Sequence, residues 1–197
     1  MRKLVVSEFM TVDGVMQAPG GPEEDTEGGF RHGGWQGPYF DDEVGESVDQ
    51  GIARTGGFLL GRKTYDIFAS YWPNATEDQE FAPVMNEMPK YVASTTLRAP
   101  LEWQNSTLLE GDLEEAVRRL KEEDGKDLRV LGSGRLAGWL GAHGLVDEYH
   151  LMIHPVVLGG GKRLFEDGGP LMPLRLVDST TTSKGNLILT YERRAEA

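Results

Sequence analysis

The chain has no cysteine, which excludes disulfides, cysteine-based zinc sites and thiol catalysis, and fits a reducing compartment. It has no apolar run long enough for a membrane span, and its start, Met1-Arg2-Lys3, runs into a strand-like segment without a cleavage signal. The expectation is a cytoplasmic protein. Basic residues are scarce: 20 Lys and Arg stand against 32 Asp and Glu, giving a formal charge of -12. Nonspecific nucleic-acid binding needs clustered cations, so this balance argues against it, although a local basic pocket can still hold a phosphate. No repeat, linker or low-complexity tract divides the 197 residues, and we read residues 1–197 as one domain.

Glycine is plentiful, 26 residues against an average usage of about 7%. Its placement is informative at two strand-to-helix junctions, Leu59-Leu60-Gly61-Arg62-Lys63-Thr64 and Val130-Leu131-Gly132-Ser133-Gly134-Arg135-Leu136. In each, a short apolar run meets glycine and then a cation at the start of a helical pattern. A helix start leaves unpaired N–H donors and a partial positive charge, and glycine lets the backbone approach an anion.

Leu4 to Phe9 reads as a buried first strand ending in an Asp13-Gly14 turn. Gly20 to Pro38 is a long glycine-rich loop, and its Phe30 and Trp35, with Tyr39 and Phe40 beyond, mark it as a lid that packs on something. A helix with Val44, Val48 and Ile52 on one face ends near Gly56-Gly57, and Phe58 to Leu60 is the next strand. Short helices over Thr64–Tyr71 and Glu80–Met88 precede strands at Tyr91–Ala93 and Thr107–Leu109. Asp112 caps a helix carrying Leu113, Ala116, Val117 and Leu120; Leu128–Leu131 is a strand, and Leu136–His143 a helix closed by Gly144. Glu148–Ile153 and a terminal hairpin, Arg175–Thr182 with Leu187–Glu192, complete the chain. The order predicts an α/β fold: a mostly parallel central sheet, helices on both faces, and an antiparallel C-terminal edge hairpin.

Ligands of such sheets bind at the carboxyl ends of the strands, where Asp13, Gly61, Ser94, Thr95 and Gly132 to Gly134 all fall. Other chemistries fail on spacing. Gly132-Ser133-Gly134 is no nucleophile elbow. Gly161-Lys162 is followed by Arg163 where a P-loop needs Ser or Thr. His150 and His154 share a strand face but lack a third ligand, so no metal is expected.

These residues resemble the dihydrofolate reductase-like family, and within it the reductase half, the C-terminal domain, of the bacterial riboflavin-biosynthesis deaminase-reductase. The likeness runs through Val12-Asp13-Gly14, Leu60 to Tyr65, Tyr71-Trp72-Pro73, Val92 to Thr95, Val130 to Leu136 and His154 to Gly161. It implies the three-layer fold of that family and NADPH along the sheet. The adenosine-side phosphate would lie near Arg62, Lys63 and Thr64, with Ser94 and Thr95 beside it. The pyrophosphate would lie on the amides of Gly132, Ser133, Gly134, Arg135 and Leu136, and the nicotinamide near Asp13 and Gly14. An arginine at residue 62 suits the extra phosphate that distinguishes NADPH from NADH.

The substrate end is less determined. Asp13 is the candidate pocket acid, although Asp before Gly is also a turn residue. Asp41, Asp42, Glu43, Glu46 and Asp49 lie on the helix where dihydrofolate reductases carry their pterin-binding acid, and no spacing selects one. Thr64 to Pro89 contains no Lys or Arg, which departs from the arginine that holds folate's glutamate tail. Tyr65, Phe68, Tyr71 and Trp72 either wall a flat heterocycle or belong to the core, and Tyr39 and Phe40 are, with Tyr65 and Trp72, candidate substrate contacts. Gly160 and Gly161 are candidate substrate contacts, and Lys162-Arg163 either meets a substrate phosphate or forms a solvated turn. The expected activity is NADPH-dependent reduction of a small heterocycle, nearest to 5-amino-6-(5-phosphoribosylamino)uracil reductase, with no deaminase half present. Dihydrofolate reductase proper and a noncatalytic nucleotide or ligand binder are the alternatives. A homodimer is expected through an apolar edge at Leu187 to Leu189.

Overall fold

The computed structural model describes residues 1–76 and 81–194. One eight-stranded sheet runs through them: β1 (Leu4–Thr11), β2 (Thr55–Gly61), β3 (Lys90–Ala93), β4 (Ser106–Leu108), β5 (Asp127–Leu131), β6 (Glu148–His154), β7 (Leu174–Thr181) and β8 (Leu187–Arg193). Its order is β4-β3-β2-β5-β1-β6-β8-β7. The first six strands pair in parallel, and β8 and β7 run antiparallel, which is the predicted architecture. The helices are α1 (Asp42–Ala53), α2 (Arg62–Tyr71), α3 (Phe81–Glu87), α4 (Leu113–Glu122) and α5 (Gly134–Ala142). The expected helix start at Glu80 lies outside the described residues.

The central strands are buried nearly throughout because both faces are covered. On one face Leu4, Val6, Leu59, Leu128 and Val130 pack with Val117 and Leu120 of α4 and Leu136 and Leu140 of α5. On the other, Phe58, Leu60 and Val92 pack with Tyr65 of α2, Met85 of α3 and Trp103. Each fully buried side chain of this size contributes roughly 1.5–3 kcal/mol.

Three expectations need correction. β2 begins at Thr55, so Gly56-Gly57 belongs to the strand and does not end the helix. A Cβ on Gly56 would stand 2.9 Å from the Lys126 carbonyl, and one on Gly57 would stand 2.9 Å from the Tyr91 ring; the pair is there for close approach. Tyr65 is core: it is buried, and its hydroxyl accepts a hydrogen bond from the Trp103 amide at 3.1 Å. Leu187 to Leu189 is no edge, because β8 is flanked by β6 and β7. The exposed apolar pair at the true edge is Leu176 and Val177 of β7.

The α1 N-terminus is fastened to the far hairpin. Asp41 accepts a capping bond from the Val44 amide, and its other oxygen accepts from the Thr182 hydroxyl, the Lys184 amide and the Asn186 side-chain amide. Burial pushes the Asp41 carboxyl up, but these bonds together outweigh it and hold it below the usual carboxylate range.

Candidate functional site

A cleft of about 1520 Å³ opens at the carboxyl ends of the parallel strands and continues beneath α1. Pockets for one small ligand run to roughly 300–1,000 Å³, so this space suits a large ligand together with a small one. Gly61, Arg62, Lys63, Thr64, Gly132, Ser133, Gly134, Arg135 and Leu136 all line it, as do Phe40 and Trp72. The two junctions therefore face one space.

Their local chemistry differs from that of the α1 and α4 starts. Asp41 caps α1 and Asp112 caps α4 through side-chain hydrogen bonds. Gly61 before α2 and Ser133 before α5 supply no side-chain cap, which leaves the first amides of both helices to water or a ligand. The junctions are stitched together: the Gly61 amide donates to the Ser133 hydroxyl at 3.0 Å, and the Ser133 amide donates to the Thr64 hydroxyl at 2.9 Å. Gly132 has φ +55, and a Cβ there would meet the Thr64 methyl at 3.2 Å; only glycine takes this turn without strain.

The cations of the site are differently committed. Arg135 has no ion pair among the described residues. Arg62 bonds Asp66 one turn on at 2.8 Å, an exposed pair worth a few tenths of a kcal/mol and easily exchanged for a phosphate. Lys63 and Lys162 pair with Asp25 and Glu27 of the long loop; hydrogen bonds from the two lysines hold the exposed Glu27 carboxyl at about 2. This loop forms a wall of the cleft through Gln17 to Gly20, Glu24, Asp25, Glu27 and Gln36. It is anchored by buried Trp35, whose indole N–H donates to the Gln17 carbonyl and whose ring meets His154 edge-on.

Other expected site residues lie elsewhere. Asp13 and Gly14 are outside the cleft lining: the Asp13 carboxylate accepts from the Thr11 hydroxyl and the Leu158 and Gly159 amides. Burial raises its affinity for a proton, but these bonds outweigh it and keep it ionised below the usual range, which fits a loop clamp better than a proton donor. Ser94 accepts from the Thr96 and Leu97 amides in a turn, and neither it nor Thr95 lines the cleft. Tyr39, Gly160 and Gly161 also stand outside; a Cβ on Gly161 would strike Val15 and Phe30. Of the five acids on or before α1, only Asp49 reaches the lining.

A further acid in the cleft lining is Glu8, in the middle of β1. It is 4% exposed, and its Oε1 has no hydrogen-bond partner. Burial pushes its carboxyl well above the usual range, and the Gly132 amide pulls it back only in part. A glutamate inside the run Val5-Val6-Ser7-Glu8-Phe9 was the available sequence signal, because an unpaired charge in a buried strand is costly unless it is neutral or used.

The model of the RibD C-terminal domain family matches residues 2–188. The chain belongs to this family. This RibD C-terminal domain is 36% identical over 137 residues to the uncharacterized protein YyaP of Bacillus subtilis (strain 168), covering 68% of this chain and 71% of YyaP. Among solved structures it is similar to a protein from Shewanella sp. PV-4 named for riboflavin biosynthesis, with TM-score 0.74, 21% identity and 98% and 99% of the two chains covered. A pyrimidine reductase-like protein from Corynebacterium diphtheriae matches with TM-score 0.61 and 12% identity, covering 99% and 93%. Dihydrofolate reductase from Enterococcus faecalis, complexed with NADP(H), matches with TM-score 0.60 and 13% identity, covering 98% and 97%. The domain thus has the dihydrofolate reductase-like fold. Among its described residues no helix is long and apolar enough to cross a membrane, and no group of three or more His, Asp or Glu is arranged to hold a metal.

Proposed function

We propose that this RibD C-terminal domain is an NADPH-dependent reductase of a small flat heterocycle. The observation that carries this reading is the pair of uncapped helix N-termini, α2 and α5, facing one cleft beside a buried Glu8 whose Oε1 has no partner. Two amide-rich helix starts match two phosphate-bearing ends of a dinucleotide. Arg62 and Lys63 suit the phosphate on the adenosine ribose, and the amides of Gly134 to Leu136, with Arg135, suit the pyrophosphate. Bound reduced nicotinamide supplies a hydride. The protein's own part is to orient the reactants, exclude water and deliver a proton, and Glu8 is built for the last task. Burial makes its carboxyl hold a proton to higher pH than an ordinary glutamate, and its Oε1 has no protein partner to compete for that proton.

Fluorescence titration with NADPH and NADH tests the cofactor assignment. A charge-assisted bond of 1.5–3 kcal/mol corresponds to roughly 10- to 100-fold in affinity, so NADPH should bind tighter by that factor and Arg62→Gln should erase the preference. No binding of either nucleotide at millimolar concentration would overturn the proposal; binding without turnover of any pterin, pyrimidine or flavin-like compound would favour a sensor.

A further inference from the structure

Beneath α1 the cleft has a floor that the dinucleotide reading leaves unused. Arg129 of β5 and His150 of β6 both line it, and both are nearly inaccessible, at 3% and 6% exposure. The register puts them on one sheet face: Val5 of β1 is paired with Arg129, and Ser7, two residues on, is paired with His150. Helix α1 spans the two with residues one turn apart. Ser47 lies 3.1 Å from His150 Nε2, and the Gly51 carbonyl accepts from Arg129 Nη2 at 3.1 Å. The absent side chain of Gly51 makes the room, since a Cβ there would sit 3.2 Å from the guanidinium carbon.

A buried guanidinium normally comes with a carboxylate. Among the described residues Arg129 has none within ion-pair distance; its protein acceptors are the Thr55 hydroxyl, which takes Nε at 2.9 Å, and the Gly51 carbonyl. The acids that act on it from a distance are Asp127 and Glu148, and both are engaged with Lys3. Arg54 adds a second positive charge nearby. Nη1 carries two donors without a partner among the described residues, on a residue that lines the cleft.

We propose that Arg129, with His150, Ser47 and Ser7, forms a subsite for a carboxylate group on the substrate. This deepens the reductase reading and rests on it only in calling the ligand a substrate. The free guanidinium nitrogen calls for an anionic acceptor, and in a pocket this dry a singly charged carboxylate costs less to desolvate than a phosphate dianion. Burial and the two arginines keep His150 neutral at neutral pH, with its pKa lowered to about 4. In either tautomer the His150–Ser47 pair keeps one unspent N–H or O–H for the second carboxylate oxygen.

The test titrates the wild type with pterin-6-carboxylate, its uncharged counterpart 6-hydroxymethylpterin, and inorganic phosphate, with NADPH titrated separately. The carboxylate should bind about tenfold tighter or better than the uncharged pterin, and phosphate should not displace it. Arg129→Met should abolish the preference with NADPH affinity unchanged, and Arg129→Lys should restore part of it. Gly51→Ala gives a second route, because its methyl displaces the guanidinium while keeping the charge; the preference should fall there too, in protein shown to be folded by circular dichroism. Equal wild-type affinities for the two pterins, displacement by phosphate, or a preference retained in folded Arg129→Met would overturn the subsite. Loss of the NADPH result with the carboxylate preference intact would overturn the reductase reading and leave the subsite standing.

Discussion

Replacing His150 with glutamine should change how stability depends on pH. The folded ring is buried beneath α1 among Arg129, Arg54 and Ser47, with burial the largest cause of a pKa lowered from 6.5 to about 4. In the unfolded chain the ring takes up a proton near pH 6.5. Between those values the unfolded state binds more protons, so stability is complete above the unfolded pKa and drains away as pH falls toward 4. A gap of this size corresponds to about 3 kcal/mol between about pH 7.5 and about pH 4. The residue is nearly inaccessible, so solvent screening takes little from this figure. His150→Gln removes the titrating group, so the wild type's advantage over the variant should shrink by about that amount across the window. Urea unfolding followed by tryptophan fluorescence at several pH values reads it directly. Parallel stability curves for the two proteins would show that the folded ring protonates like a free histidine, and would refute the buried placement.

Three further outcomes are expected. Glu8→Gln should bind NADPH normally and lower turnover by about a hundredfold or more, and wild-type turnover should decline as pH rises through the elevated Glu8 pKa; a variant as active as the wild type removes Glu8 from proton delivery. Glu27→Gln should loosen the loop wall by releasing Lys63 and Lys162, seen as faster limited proteolysis between residues 19 and 38, and added salt should mimic it in the wild type. Asp41→Ala should cost about 3 kcal/mol in urea unfolding, combining a lost helix cap with stranded donors on Thr182 and Asn186; a loss below about 1 kcal/mol would mean the cap alone matters.

The framework was legible where local chemistry decides it. The junctions at Gly61 and Gly132, the Asp112 cap, the Gly144 helix end at φ +67 and the turn before Asn186 depend on neighbouring residues, and all lie where the sequence places them. What depends on partners distant in the chain was not. Arg129 and His150 meet only because β5 and β6 flank β1 in a particular register. Tyr65 reads as either substrate wall or core, and the bond from Trp103, 38 residues on, decides for core. Gly56-Gly57 carries the same letters whether it ends a helix or admits the side chain of Arg2. Glu8 was not legible as a site residue inside the apolar run of β1, because its burial depends on the Gly132 turn whose amide it accepts from.

The bond from Thr182 to Asp41 ties the outermost hairpin to the helix that roofs the substrate floor. The turn at residues 183 to 185 therefore differs from the usual surface loop that tolerates insertion. A longer loop here would withdraw Thr182, Lys184 and Asn186 from Asp41, and α1 would lose the fixed point that sets Ser47 over His150. Variation at this turn offers a route to altered substrate choice in which no residue of the cleft is replaced.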